Sequence, residues 1–217
     1  MKFPRLAMTA TISLSLFLVP ITRARPYHWQ GRHWHYRYRR DHRYGSRHPL
    51  PSTRELRIET VAGPRWVSVG FSPEGSAEAL VLKVIASARR AIRVSAYDLT
   101  SAPIVRALIA AQRRGVSVEV VADAKANTEG RAYGERALAS LENAGIPVRT
   151  ISVYPIHHDK IIIADDSVET GSFNYSRDAA RKNSENVIVL WDDPALAGVY
   201  LQHWRSRWNQ GRAFHAE

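Results

Sequence analysis

From Trp66 onward, short apolar runs alternate with segments whose apolar positions recur every three or four residues. Val67, Val69 and Phe71 alternate with small or polar neighbours, the period of a strand. Ser72-Pro73-Glu74 then predicts a helix start, Ser72 as N-cap and Pro73 at the first helical position. Ala77, Leu80, Val81, Val84, Ile85 and Ala88 follow at helical spacing. Ile92 to Tyr97 reads as a second strand, and Ser101 caps a helix through Arg114 that Gly115 ends, with Ile104, Val105, Leu108 and Ile109 facing inward. Val116 to Ala122 is a buried strand, a helix around Glu135 to Ala144 stops at Gly145, and Val148 to Ile151 forms another strand. Lys160 to Ala164 and Val168 to Thr170 pair through Asp165-Asp166-Ser167, and Val187 to Trp191 is the last strand. Leu196, Val199, Tyr200, His203 and Trp204 mark a closing helix. Strand–helix alternation of this kind predicts an α/β fold, a mixed β-sheet flanked by helices on both faces, in a single domain. There is no internal repeat.

Upstream the pattern changes. The chain has 217 residues, 31 Lys and Arg against 20 Asp and Glu, and no cysteine. A disulfide scaffold, a thiolate metal site and a cysteine nucleophile are therefore excluded. The excess of positive charge lies mostly before residue 51. Residues 1–24 read as a signal peptide or membrane anchor: Lys2 and Arg5, then an uncharged run from Leu6 to Thr22, then a small residue at Ala24. A cleaved signal fits the short run better than a span, so the expectation is export, to a periplasm or out of the cell. Membrane contact is expected only if the segment stays uncleaved. Residues 25–64 form a basic segment and linker, in which seven arginines before residue 51 stand against the single Asp41. Arginine interleaved with Tyr, Trp and His suits contact with phosphates and bases, and equally reads as a solvated linker or a weak metal-binding His tract. Residues 65–217 form the catalytic domain.

Within that domain, His157 to Asn186 carries the chemistry. His158 and Lys160 are two apart at the mouth of a strand, so alternation puts them on one face and Asp159 on the other. Ser172 and Asn174 are two apart beyond Gly171, next to a neighbouring strand. An imidazole, an ammonium, a hydroxyl and an amide in one pocket suit a phosphodiester: the cation and amide hold nonbridging oxygens, and the imidazole attacks phosphorus or moves a proton. No glycine-rich nucleotide loop and no Gly-x-Ser-x-Gly elbow occurs. Adjacent strand residues point oppositely, which argues against His157 and His158 sharing a metal ion. Trp204 and Trp208 read as core or as stacking platforms. Lys125, Asn127 and Arg131 read as loop residues, either solvated or on a DNA backbone.

This stretch resembles the HxK(x)4D(x)6GSxN signature of the phospholipase D superfamily, as His158, Lys160, Asp165, Gly171, Ser172 and Asn174, followed by Glu185. In breadth, from about Trp66 to Arg212, it is similar to the small, single-motif bacterial endonucleases of the Nuc type. Five residues rather than six separate Asp165 from Gly171, a difference the turn at Asp165-Asp166-Ser167 is expected to absorb. The resemblance implies that His158 is the nucleophile forming a phosphohistidine, and that Lys160 and Asn174 bind phosphate with help from Ser172. It implies that Glu185 orients the His158 ring and that Asp165 and Gly171 are structural. It implies no cofactor and no metal. One motif per chain implies a homodimer with the site at its two-fold interface. The expected activity is hydrolysis of DNA, and of RNA as a related substrate, with little sequence preference. The alternatives are a phospholipase D or phosphatidyltransferase acting on phospholipid headgroups, and a nucleic-acid or surface binder with a dead site.

Overall fold

The computed structural model describes residues 66–216; the expected signal and the basic segment, residues 1–64, lie outside the described residues. The strands are β1 (Trp66–Ser72), β2 (Ala91–Ala96), β3 (Ser117–Asp123), β4 (Val148–Ile151), β5 (Lys160–Ala164), β6 (Ser167–Gly171), β7 (Glu185–Trp191) and β8 (Arg212–Ala213). The helices are α1 (Ser76–Ser87), α2 (Ala102–Arg113), α3 (Ala124–Asn127), α4 (Ala132–Asn143), α5 (Arg177–Arg181) and α6 (Pro194–Gln210). All the strands join one mixed sheet in the order β1-β7-β6-β5-β2-β3-β4-β8. β2, β3 and β4 run parallel, with α2 and α4 as crossovers, and β5, β6, β7 and β1 pair antiparallel.

Period-two alternation sends each strand's residues to two separate cores. Ile92, Val94, Ala96, Val118, Val120, Ile162 and Val189 pack with the buried stripes of α1, α2 and α4. Val121, Ile161, Ile163 and Val168 face α6 through Ala197 and Trp204. With both faces covered, β5 is buried along its whole length, which explains its unbroken Lys-Ile-Ile-Ile-Ala run. Trp204 is core: its indole Nε1 donates to the Val94 carbonyl at 2.8 Å, and its ring stacks on Trp208 with centroids 5.0 Å apart.

Two local expectations need correction. The first helix does not start at Ser72-Pro73-Glu74. Ser72 is still in β1, opposite Glu185, and its Oγ donates to the Asn183 carbonyl. Ser76 closes the turn by accepting from the Phe71 N–H at 2.8 Å, so α1 begins there with Gly75 as N-cap. The apolar side of β1 also turns outward: Val67, Val69 and Phe71 are about half exposed, while Gly70 and Ser72 face α1. Helix and strand approach so closely that a Cβ on Gly70 would meet the Ser76 carbonyl oxygen at 2.6 Å.

The segment after β3 is not an open loop. Asp123 Oδ1 accepts from Ala126 N and starts the single turn α3. Asn127 is fully buried; its Nδ2 donates to the Tyr97 and Asp123 carbonyls and its Oδ1 accepts from Leu99 N. That residue is therefore a brace and not a surface contact. Its three bonds tie the chain after β3 to the chain after β2, at the end of the sheet where β5 begins.

Candidate active site

Strand β5 enters the sheet at Lys160, so the residues just before it lie at the rim. His158 is exposed there, its ring edge-on to Tyr97 with centroids 4.8 Å apart. Lys160 is only 6% exposed. Its Nζ donates to the His158 carbonyl at 2.9 Å and lies 5.3 Å from the centre of the Tyr97 ring. Burial pushes this ammonium below its ordinary value, against the pull of Glu185, Asp159 and Asp98. A cation held on apolar and aromatic surface with one hydrogen bond keeps two N–H groups for an anion.

The second half of the site comes from the turn after β6. A Cβ on Gly171 would run into the Asn186 carbonyl oxygen, so only glycine lets the turn pass β7 this closely. Ser172 N then donates to that same carbonyl at 3.1 Å. Phe173 and Tyr175 are buried, and alternation leaves Ser172 exposed and Asn174 half-buried between these anchors. The Tyr175 carbonyl accepts from Thr100 N and Ser101 N, which fixes this loop to the end of β2 beside Tyr97. Asn174 Oδ1 is buried with no hydrogen-bond partner. The β5–β6 register sets Ile161 against Thr170, which brings Lys160 alongside Gly171 and the start of the Ser172 turn.

Glu185 opens β7, and its carboxylate is occupied: Ser172 Oγ donates to Oε2 at 2.6 Å and Asn183 Nδ2 donates to Oε1 at 3.0 Å. Among the described residues no hydrogen bond joins Glu185 to the His158 ring. Within one chain the carboxylate holds Ser172 and not the imidazole, because the β6–β7 register sets Gly171 against Val187 and so brings Ser172 to the start of β7. Asp165 sits at φ 53 in the β5–β6 turn and accepts from the N–H groups of Arg89, Arg90 and Ala91 at 2.8–3.0 Å. Those bonds hold its carboxyl below its ordinary value against the opposing effect of burial, far along β5 from His158.

Behind the strand lies a polar cluster that the sequence reading left unassembled. Asp159, between His158 and Lys160, turns to the α6 face, where its Oδ2 is 2.8 Å from His203 Nε2 and 3.9 Å from His157 Nδ1. His157 is buried, with Nε2 2.9 Å from Ser95 Oγ, and its N–H donates to Asp123 Oδ2 at 2.7 Å. Burial pushes the His157 imidazole down, partly offset by Asp159 and Asp123. Alternation had put Asp159 on this face, but nothing in the sequence linked it to His203, 44 residues later. Glu169 was also missed. It is fully buried on β6, accepts from Tyr175 Oη at 2.6 Å, and has its carboxyl pushed up to about 8 by burial. Among the described residues no cluster of His, Asp and Glu has the arrangement of a metal site.

The family model described as cardiolipin synthase, PLD-like domain matches residues 81–208. The phospholipase D of Rickettsia bellii is 37% identical over 160 residues, 73% of this chain and 77% of that relative. The mitochondrial cardiolipin hydrolase of Xenopus laevis is 29% identical over 164 residues, 75% of this chain and 74% of the other. The solved structure of Nuc, a phospholipase D family member from Salmonella typhimurium, superposes with a TM-score of 0.68 at 51% identity, covering 70% of this chain and 99% of that one. With a family model over most of the folded body and the His158, Lys160, Ser172 and Asn174 set at one rim of the sheet, the chain belongs to the phospholipase D superfamily, in its Nuc type, and is a hydrolase of phosphodiesters.

Proposed function

We propose that the protein is an exported, metal-independent endonuclease that hydrolyses DNA with little sequence preference at the interface of a homodimer. The observation that carries the reading is the exposed His158 ring beside the desolvated Lys160 ammonium, with the half-buried Asn174 amide on the adjoining loop, in a chain 51% identical to Nuc over 70% of its length. The Arg-aromatic segment of residues 25–50 adds support, because its composition suits phosphates and bases.

In this mechanism one ring nitrogen of His158 attacks phosphorus, the P–N bond forms and the bond to the leaving oxygen breaks. Lys160 and the Asn174 amide hold the nonbridging oxygens as charge builds on them. Ser172, held by Glu185 and Asn186, borders the same oxygens. The leaving oxygen takes a proton from the His158 of the second copy. Water then attacks phosphorus, returns a proton to that second imidazole, and the P–N bond breaks. One nucleophile and one acid are needed and each chain supplies one histidine, which is why the reading includes a dimer.

The second reading is phospholipid headgroup hydrolysis, favoured by the names of the Rickettsia and Xenopus relatives. Supercoiled plasmid and phosphatidylcholine vesicles offered separately to the purified protein tell the two apart. Plasmid relaxation without choline release supports the nuclease. Choline release with intact plasmid replaces it with the lipid enzyme.

A further inference from the structure

A groove of about 1200 Å³ opens beside the site, and Tyr97 belongs to both. One edge of Tyr97 meets His158, and the groove then runs from this ring between the starts of α2, α4 and α5. Its far wall carries Tyr133, 77% exposed, with Arg136 over the ring at 4.8 Å. Arg131 and Arg177 also line it, both exposed. The acids of the groove are largely engaged. Glu78 is 3.8 Å from Arg181 and accepts from Ser101 Oγ, and Asp178 pairs with Lys182 at 2.9 Å. Asp98 is pushed up by burial, which outweighs the Thr100 and Ser176 hydroxyls and Arg131, and its Oδ1 has no partner. Among the described residues neither Arg131 nor Arg177 has an ion-pair partner within 4 Å. The groove thus offers two guanidinium groups with no ion-pair partner within 4 Å, an exposed aromatic ring and a buried acceptor, on a path that reaches His158 through Tyr97.

We infer that this groove is a subsite for the nucleic-acid strand flanking the scissile diester, with Tyr133 stacking on a base and Arg131 and Arg177 on the adjoining phosphates. The inference rests on the nuclease reading and deepens it. A strand needs flat apolar surface alternating with cations, and both are present here, on one track leading from Tyr97. A phospholipid would place two acyl chains against whatever borders the headgroup site, and this wall of arginines and carboxylates suits them poorly. Of the three residues after β3 weighed for backbone contact, Arg131 alone fits: Asn127 is a buried brace, and Lys125 lies outside the groove.

The test compares two substrates for the full-length protein: a single-stranded deoxyoligonucleotide of about 12 nucleotides, which fills such a track, and bis(4-nitrophenyl) phosphate, which fills only the reacting centre. Tyr133→Ala is expected to lower the ratio of kcat/KM on the oligonucleotide to that on the small diester by about ten-fold, and Tyr133→Phe to keep it, because the ring remains. The double change Arg131→Gln with Arg177→Gln is expected to flatten the log–log salt dependence of oligonucleotide binding, read by fluorescence anisotropy, by about 1.4. A parent that cuts the oligonucleotide while both variants keep the ratio and the slope overturns the subsite and leaves the nuclease standing. A parent that turns over the small diester but neither the oligonucleotide nor plasmid overturns the nuclease reading, and the subsite with it.

Discussion

The two sides of the chain entering β5 are built on opposite terms. On the α6 side, His157, Asp159, Ser95 and His203 are joined in a closed set of contacts, with Asp123 holding the backbone of His157. On the other side, His158 is exposed, Lys160 is desolvated with a single acceptor, and Asn174 Oδ1 is buried without a donor. Four consecutive residues, His157 to Lys160, alternate between these environments. The tied side fixes the strand by its odd-numbered members, and the untied side presents the even-numbered ones. Polar groups satisfied within the protein stabilise it, whereas groups left unpaired are available to a substrate and weaken the fold around them. The comparison teaches that one short extended stretch supplies both the tied scaffold and the groups left free for a substrate, by alternation along the chain.

The comparison breaks most sharply at Lys160. Lys160→Met keeps the stem and removes the ammonium, and it is expected to lower kcat/KM by about 100- to 1000-fold, the effect of losing one preorganised charge on a phosphoryl oxygen. Because that ammonium is desolvated in the folded protein, thermal unfolding should show Tm unchanged or raised. A large fall in Tm would place Lys160 in the scaffold. His157→Ala is expected to do the reverse. Removing a buried ring that meets Ser95 costs about 2–3 kcal/mol, read as a drop of about 5–10 °C in Tm. The parent's own Tm should also fall as pH drops below about 6.5, because an imidazole held neutral by burial gains a proton on unfolding. His157→Gln should flatten that fall.

The third test lies deeper in the sheet. Glu169 is raised to about 8 in the folded protein, so its contribution is complete below the ordinary glutamate range and is lost as pH rises toward and through 8. Glu169→Gln keeps an acceptor for Tyr175 and cannot ionise. It should be close to the parent in Tm at pH 5 and exceed it at pH 8. Equal Tm values at both pH values would mean that Glu169 does not bind a proton on folding.

Much of this architecture is written in the periodicity of the chain. The apolar runs of β2, β3 and β5 and the helical stripes of α1, α2 and α4 appear where the sequence puts them, because burial decides both pattern and structure. The His-x-Lys spacing was legible for the same reason, since residues two apart along an extended chain share a face; Ser172 and Asn174 lie in the turn beyond β6, where the buried Phe173 and Tyr175 set their outward side. What was not legible depends on long-range closure. Val67, Val69 and Phe71 alternate correctly, but nothing in that pattern tells which face α1 covers; the absent Cβ of Gly70 decides it. Asn127 reads as a loop polar residue until its three backbone partners, drawn from two strand ends, are brought together. Glu169 stands in a run that looks half-exposed, and only the arrival of Tyr175 beside it provides for a buried carboxyl. The Glu185 carboxylate sits on Ser172 because the β6–β7 register sets Gly171 against Val187, which no local motif encodes.

The central claim is that His158 does the chemistry on nucleic acid without a metal ion. The most direct measurement is digestion of supercoiled plasmid by the purified protein in excess EDTA, beside a His158→Ala preparation made in the same way. Cleavage by the parent, lost by at least three orders of magnitude in the variant, is the predicted result. Cleavage that requires added Mg²⁺, or that survives in the variant, contradicts it.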